Sequence, residues 1–554
     1  MTLPRPESPT AGPQDLPAPG ASGSVRRWAV VFTGLALVAA GVILYSTRVA
    51  PWAFSDSVAY LLSAQSLAGG GRLGMWTAGG RFASIPSPGY PGLLALLTLF
   101  GMDLLAAARW VGVAAFAGLI GFVGYVGARL SRYLLLGLAL AFIGLVQPTF
   151  VRLYSGVMTD PLFITLSVIS LLVLGWSMAA GYRRGSSLAG LLAGAATLTR
   201  LVGVALVPAG AFSILFMDPS RPRERVKHAL GFTTFALLPA VAWQAVAGLT
   251  GSGPPRGFRL PEGSLWQALI PLRIALIDLV WTQVPWLARI SDPPYRTRLV
   301  LLSALIALGV AGWLWLSLRK DPQGRRLPFP VVGRLAVPAG LFLASYPAVF
   351  ALAYLFTDPT PDLDERTLLA PMIVPLWIVW LSLPLLAAEA WPRVSRAAVL
   401  LVLVIETAAV VPFIRPSLDL AQRLHEKGDG YTSTAWTSSG LIELVKALPP
   451  DTPLITNESA AVALLAGRPA YDLPELVDLR RRLLGARFGD NPDDPIERMF
   501  RDRGAALVLF DSLYWQLDRI YPGKGGDRLS GITAGLAVSG ESRDGKIYLY
   551  PSPR

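Results

Sequence analysis

Thr159-Asp160-Pro161-Leu162-Phe163-Ile164-Thr165-Leu166 opens an apolar run that continues to Ala180 with no further charge. Pro161 suits the first turn of a helix, where an N–H has no partner to lose. Asp160 sits where the positive end of the helix dipole favours a carboxylate. A helix from Pro161 to Ala180 has the roughly 20 residues needed to cross about 30 Å of hydrocarbon. Backbone groups in lipid have no water to bond, so such a run is helical.

The pattern recurs along the chain. Comparable runs lie at Trp28 to Thr47, Leu104 to Ala128, Leu134 to Phe150, Ala229 to Leu249, Leu299 to Leu318, Leu335 to Phe356, Leu368 to Ala388 and Ala397 to Ile414. A shorter pair, Leu188 to Thr199 and Leu201 to Phe216, meets at Arg200. The expected fold class is a polytopic α-helical membrane protein of about eleven transmembrane helices. Composition agrees. Of 554 residues, 53% are hydrophobic and 15% charged, and the mean hydropathy is +0.50. Soluble chains carry about 25% charged residues. The alternating segments of about ten residues that mark an outer-membrane barrel do not occur.

Loop charges orient the spans. One alternate set of short loops carries Arg129 and Arg132, Arg183 and Arg184, Arg221 to Lys227, Arg319 to Arg334, and Arg393 with Arg396, and is expected on the cytoplasmic side. The other set is longer and holds Asp56, Asp160, Glu262, Asp292, Asp358, Asp362, Asp364 and Glu365. The expected location is the plasma or inner membrane, N-terminus inside and C-terminus outside. Residues 1–25 are rich in Pro, Gly, Ser and Ala and read as a disordered cytoplasmic tail; residues 26–415 form the membrane domain. Over residues 416–554 the pattern becomes that of a small extracytoplasmic α/β domain, with strands at Pro453 to Thr456, Ala505 to Phe510 and Lys546 to Tyr550. Helices are expected at Leu441 to Leu448, at Glu458 to Leu465 with Asn457 as N-cap, and at Pro495 to Asp502.

Several chemistries are excluded. Cys is absent, and the two His residues, His228 and His425, are far apart. Thiol nucleophiles, Cys-based metal sites, a Ser-His-Asp triad and an HExxH helix are therefore unavailable. The net charge of +13 sits mainly in short loops, where membrane orientation explains it, so no nucleic-acid partner is expected.

Acid–base work thus falls to Asp, Glu, Lys, Arg or Tyr, and two carboxylates stand out. Asp56, in Phe54-Ser55-Asp56-Ser57-Val58-Ala59-Tyr60, reads either as a solvated cap of a helix starting near Ser57 or as a general base at the membrane surface. Asp160 reads as a favoured helix-start residue or as its partner on the same face. Arg200, between apolar helices, either snorkels to water or faces an anion such as a lipid phosphate. Arg366, just before a span, admits the same two readings.

The first acidic loop, the Pro86-Ser87-Pro88-Gly89-Tyr90-Pro91 segment, the Thr159-Asp160-Pro161-Leu162-Phe163 helix start, the Gly190 to Arg200 segment and Glu365-Arg366-Thr367-Leu368-Leu369-Ala370-Pro371 together resemble the GT-C membrane glycosyltransferases. The resembling branch contains protein O-mannosyltransferases and the lipid A aminoarabinose transferase. The resemblance covers roughly Trp28 to Leu385. It implies a polyprenyl-phosphate sugar donor, an outward-facing site, an inverting hexosyl or pentosyl transfer to a lipid, glycan or protein hydroxyl of the cell envelope, and contact with membrane lipids. It implies Asp56 as the base or holder of the acceptor. Asp160 is assigned to orienting the acceptor, the sugar or a metal, and Arg200 with Arg366 to the donor phosphate. Tyr60, Tyr90 and Glu365 lie in the same segments and are counted with the site. No cofactor is fixed, and a divalent cation is left open. The sequence departs from the branch where Ser57 follows Asp56, where Ser84-Ile85 precedes Pro86, and where Thr367 follows Arg366.

Two other classes stay open: a lipid or glycan transporter or flippase, and a membrane assembly protein whose outer domain binds a partner. A transporter calls for ionisable residues at mid-membrane depth and often repeated halves. Here the ionisable residues gather at helix ends, and no internal repeat is found.

Overall fold

The computed structural model describes residues 22–249, 257–283, 332–473 and 503–550, with breaks at 72, 77–81, 85–86, 181–182, 259, 261–263, 359–360, 362, 391–395, 409 and 521. The helices of the membrane part are α1 (Ser22–Ser46), α2 (Ser55–Ala68), α3 (Gly89–Leu99), α4 (Leu104–Ser131), α5 (Leu134–Leu145), α6 (Pro148–Tyr154), α7 (Asp160–Ala180), α8 (Arg183–Thr199), α9 (Leu206–Met217), α10 (Pro222–Leu249), α11 (Ile270–Gln283), α12 (Gly333–Phe356), α13 (Ala370–Ala390) and α14 (Arg396–Ala408).

Among the described residues, seven stretches are long and apolar enough to cross a membrane: Arg26–Ser46, Leu104–Ser131, Asp160–Ala180, Pro222–Ala247, Gly333–Phe356, Glu365–Ala388 and Ala397–Lys427. α5 and α6, bent by 63° at their junction, make an eighth if taken as one span. The remaining expected crossings are α8 and α9, which at 17 and 12 residues are each shorter than a full span, and Leu299 to Leu318, which lies outside the described residues. The chain is a polytopic helical membrane protein.

Its bundle is built for lipid outside and close packing inside. Val30 and Leu37 on α1 and Leu230, Leu238 and Val241 on α10 are more than half exposed, apolar surface suited to hydrocarbon. Inside, small residues let backbones approach. A Cβ on Gly137 would meet the Gly124 carbonyl oxygen at 2.3 Å, so α4 and α5 touch through glycine. At the other end of α7, Arg334 donates to the Met178 and Ala179 carbonyls at 3.2 Å each, satisfying groups the helix leaves open.

The segments before the two acidic candidates are joined laterally. Trp52 pairs with Gly156 in parallel, and Ala53 with Gly430. The Trp52 N–H donates to Ser155 O at 3.1 Å, Val157 N–H to Trp52 O at 2.9 Å, and Tyr431 N–H to Ala53 O at 2.8 Å. Gly156 is required here, because a Cβ would sit 2.2 Å from the Trp52 ring.

After α14 come an amphipathic helix, α15 (Ile414–Lys427), then α16 (Gly440–Ala447), α17 (Ser459–Ala466), α18 (Ser512–Ile520) and α19 (Gly525–Thr533). Two short strand pairs lie earlier, β1 (Gly74–Trp76) with β2 (Phe82–Ser84) and β3 (Gly257–Phe258) with β4 (Thr357–Asp358). The C-terminal strands β5 (Leu454–Thr456), β6 (Tyr471–Asp472), β7 (Ala506–Phe510), β8 (Ala537–Ser542) and β9 (Gly545–Leu549) form one sheet in the order β6-β5-β7-β9-β8. β5 runs parallel to β6 and β7, while β9 runs antiparallel to β7 and β8. The fully buried β7 divides two apolar layers, one with Leu441 and Val445 of α16, the other with Leu513 and Leu517 of α18.

Asn457 does not cap α17 as expected. The capping position is Glu458, which makes no side-chain cap bond. The Asn457 amide instead accepts from the Phe510 N–H at 2.9 Å and donates to Ser512 at 2.9 Å, because tying β5 to β7 uses both its ends. The helix expected at Pro495 to Asp502 lies outside the described residues.

Candidate active site

Asp56 lies inside the first turn of α2, one residue past its start, rather than capping a helix near Ser57. The cap position is Phe54, whose backbone is extended and whose N–H donates to the Ser57 hydroxyl at 3.0 Å. Ser57 therefore closes the helix start, and the Asp56 carboxylate is left to reach outward. It meets Arg366: Nη1 stands 3.0 Å from Asp56 Oδ2.

Arg366 is presented by an irregular turn. Glu365–Leu369 forms a π-helical turn ahead of α13, a geometry often found at functional sites. Asp364 caps it, accepting from the Thr367 N–H at 2.7 Å and from the Thr367 hydroxyl at 2.6 Å. The Tyr346 hydroxyl holds it from α12, donating to the Thr367 carbonyl at 2.5 Å. Arg366 Nε lies 3.5 Å from the other Asp364 oxygen, so one guanidinium sits between two carboxylates.

The second pair is deeper. Arg200 marks the break between α8 and a 3₁₀ turn, Leu201–Ala205, with extended backbone. Its Nη1 donates to Asp160 Oδ1. Asp160 is fully buried, and its Oδ2 has no hydrogen-bond partner among the described residues. A buried carboxylate with one oxygen paired and one open is expensive unless something further bonds it. The close approach of Gly89 helps seat this region: a Cβ there would meet the Leu198 backbone at 2.8 Å, so α3 rests directly on the end of α8.

Tyr60 connects the two pairs. Burial raises its hydroxyl pKa first, then the Asp56 charge, while Arg200, a hydrogen bond from Thr159 and Arg366 pull it the other way. One phenol thus senses Asp56, Arg200 and Arg366 together. Tyr90, fully buried, stands edge-on to Tyr60 at a ring separation of 5.9 Å. Glu365 is turned elsewhere: its carboxylate accepts from the Thr149 hydroxyl at the start of α6. A cavity of about 450 Å³ lies farther along α2, lined by Gln65 and Ser66 and by Arg468 beyond α17. Gln65 is about 13 Å along the helix from Asp56, so that cavity is separate from the paired charges.

The donor set suits an anion better than a divalent cation. Asp56 and Asp160 are each engaged by a guanidinium, which opposes a cation at the same oxygens. No group of three or more Asp, Glu or His side chains able to hold a metal occurs among the described residues.

No family model matches the sequence, and no curated protein does. Solved structures do. ArnT from Cupriavidus metallidurans bound to undecaprenyl phosphate matches with a TM-score of 0.53 at 15% identity, over 94% of this chain and 98% of that one. The chain shares the fold of this ArnT. The apo ArnT of the same organism gives a TM-score of 0.47 at 17% identity, over 95% and 98%. An Archaeoglobus fulgidus oligosaccharyltransferase tethered to an acceptor peptide gives 0.48 at 11% identity, over 94% and 74%.

Sequence reading missed Asp364, Thr149, Thr159, Tyr346 and Tyr431, which hold the candidate residues. Only Asp364 carried a signal: Asp three residues before Thr367, ahead of an apolar run, is a helix-start pattern. The others act across the fold and leave no local mark.

Proposed function

We propose that this chain is a glycosyltransferase that moves a sugar from a polyprenyl-phosphate donor to an acceptor hydroxyl at the extracytoplasmic membrane surface. The observation that carries the reading is the pair of Arg–Asp contacts, Arg366–Asp56 and Arg200–Asp160, gathered about Tyr60 where α2, α7, α8 and α13 begin or end. The ArnT structure with the similar fold is one bound to undecaprenyl phosphate, which supports a prenyl-phosphate ligand here.

The chemistry follows from charge. The acceptor oxygen attacks the anomeric carbon, the carbon–oxygen bond to phosphate breaks, and polyprenyl phosphate leaves with the electron pair and one more negative charge. Arg200 and Arg366 offer planar, charge-assisted donors to that developing charge. The acceptor proton passes to a carboxylate. Asp56 is half-exposed and reachable, whereas Asp160 is enclosed, so Asp56 is assigned as the base and Asp160 as the group that orients acceptor or sugar. A donor phosphate arriving at Arg366 competes with Asp56 for the guanidinium. Donor binding thereby frees the Asp56 carboxylate, and an ordered reaction with donor first is the consequence.

The test is release of polyprenyl phosphate from a panel of prenyl-phosphate sugars by the purified protein. Release with at least one donor is expected. No release from any, with movement of intact lipid across vesicle membranes instead, would replace this reading with a transporter.

A further inference from the structure

In open α/β sheets, ligands bind in the crevice outside the carboxyl ends of parallel strands, where the chain departs to opposite sides. In the C-terminal sheet, β6 lies on one side of β5 and β7 on the other, all three parallel. The crevice beyond β5 and β7 is filled from within the chain. Glu458, which follows β5, accepts from the Tyr431 hydroxyl at 2.8 Å and from the hydroxyl of Ser512, which follows β7, at 2.6 Å. Tyr431 is buried; its burial, then the Glu458 charge, push its hydroxyl pKa up, so it remains a donor.

The other side of Tyr431 faces the candidate active site. Its N–H donates to Ala53 O at 2.8 Å, and its ring meets Phe54 edge-on at 6.2 Å. With Val58 of α2 and Ala461 of α17 it forms one apolar cluster. Ala53 and Phe54 lead directly into the turn that carries Asp56. The fit at this junction is close: Gly430 has φ +59°, and a Cβ there would meet Ala53 O at 2.2 Å.

We infer that Tyr431, held by Glu458 in the strand-end crevice, is a positioning residue that fixes the first turn of α2 and so the Asp56 carboxylate. The C-terminal unit would then act on the reaction through its grip on α2. The kinetic part of this inference rests on the role proposed for Asp56; the structural part does not.

The experiment uses the full chain in detergent, with Tyr431→Phe, Glu458→Leu and Glu458→Gln. Hydrogen exchange is read at residues 53–60 and in the spans. Tyr431→Phe and Glu458→Leu should speed exchange of 53–60 by about tenfold while the spans keep wild-type protection, and Glu458→Gln, which retains an acceptor, should restore it. In transfer assays, Tyr431→Phe should lower kcat by about tenfold and leave KM for the lipid-linked sugar unchanged. In an Asp56→Asn background the same change should have no further effect. Unaltered exchange of 53–60 in both disruptive variants would overturn the inference, as would an equal loss of rate in the Asp56→Asn background. Absence of any transfer by the wild-type protein would sink the proposed function instead, and the exchange result would then decide this inference alone.

Discussion

Arg200 donates to Asp160 across 40 residues of sequence, and of the two side chains the carboxylate is the deeper, 1% exposed against 20%. Removing one partner strands the other. Arg200→Leu is expected to destabilise the chain by about 3 kcal/mol, and Arg200→Leu with Asp160→Leu by clearly less than the sum of the two single changes. Thermal unfolding of the four proteins in one detergent checks this. Strict additivity would mean that the pair contributes no coupling.

Arg200→Lys and Arg366→Lys keep the charge and remove the planar fork. Each is expected to weaken binding of a prenyl-phosphate sugar by about tenfold while the protein remains folded. Titration of purified variants with the lipid measures it. Wild-type affinity in both would remove the arginines from the donor site.

From the loop charges we propose that the N-terminus lies in the cytoplasm and the C-terminal unit outside. A reporter active only in the cytoplasm, fused after Pro416, should therefore stay silent. A strong signal would move the acidic face, with Asp56 and Asp160, to the cytoplasmic side.

Asp544 supplies a pH dependence in the C-terminal unit. Burial acts to raise its pKa, but hydrogen bonds from Ser439, Ser542, its own backbone and the Leu441 N–H outweigh this and leave it below its ordinary value of 3.8. A carboxylate with a lowered folded pKa stabilises fully above its unfolded value and loses that contribution as pH falls through the folded one. Pepsin cleavage within residues 440–550 of the full chain should rise as pH drops below about 4, and the rise should be flattened in Asp544→Asn. An identical acid profile in the variant would refute the assignment.

The long spans were legible because hydrocarbon thickness sets a length that composition reveals, as in the run from Pro161 to Ala180; the full count of eleven is not among what the described residues establish. The central strands were legible too: the apolar runs at Pro453 to Thr456 and Ala505 to Phe510 lie within a residue of β5 and β7. β8 was not, since Ala537 to Ser542 is mostly exposed and carries no apolar pattern. At the site, residue types and shared membrane side pointed to Asp56, Asp160, Arg200 and Arg366. Which Arg meets which Asp was not readable, because Arg366 and Asp56 are 310 residues apart and only the packing of α2 against the π-helical turn joins them. Glu365 shared its segment with Arg366, yet the same turn points it to Thr149.

Asp56 is proposed to take the acceptor's proton. Asp56→Asn keeps size and polarity, leaves Ser57 to close the helix start, and removes the basic oxygen. The direct measurement is single-turnover sugar transfer by purified Asp56→Asn loaded with a prenyl-phosphate sugar that the wild-type protein uses. Donor binding should be retained and the transfer rate should fall by at least about 10²-fold. Transfer at the wild-type rate would contradict this role for Asp56.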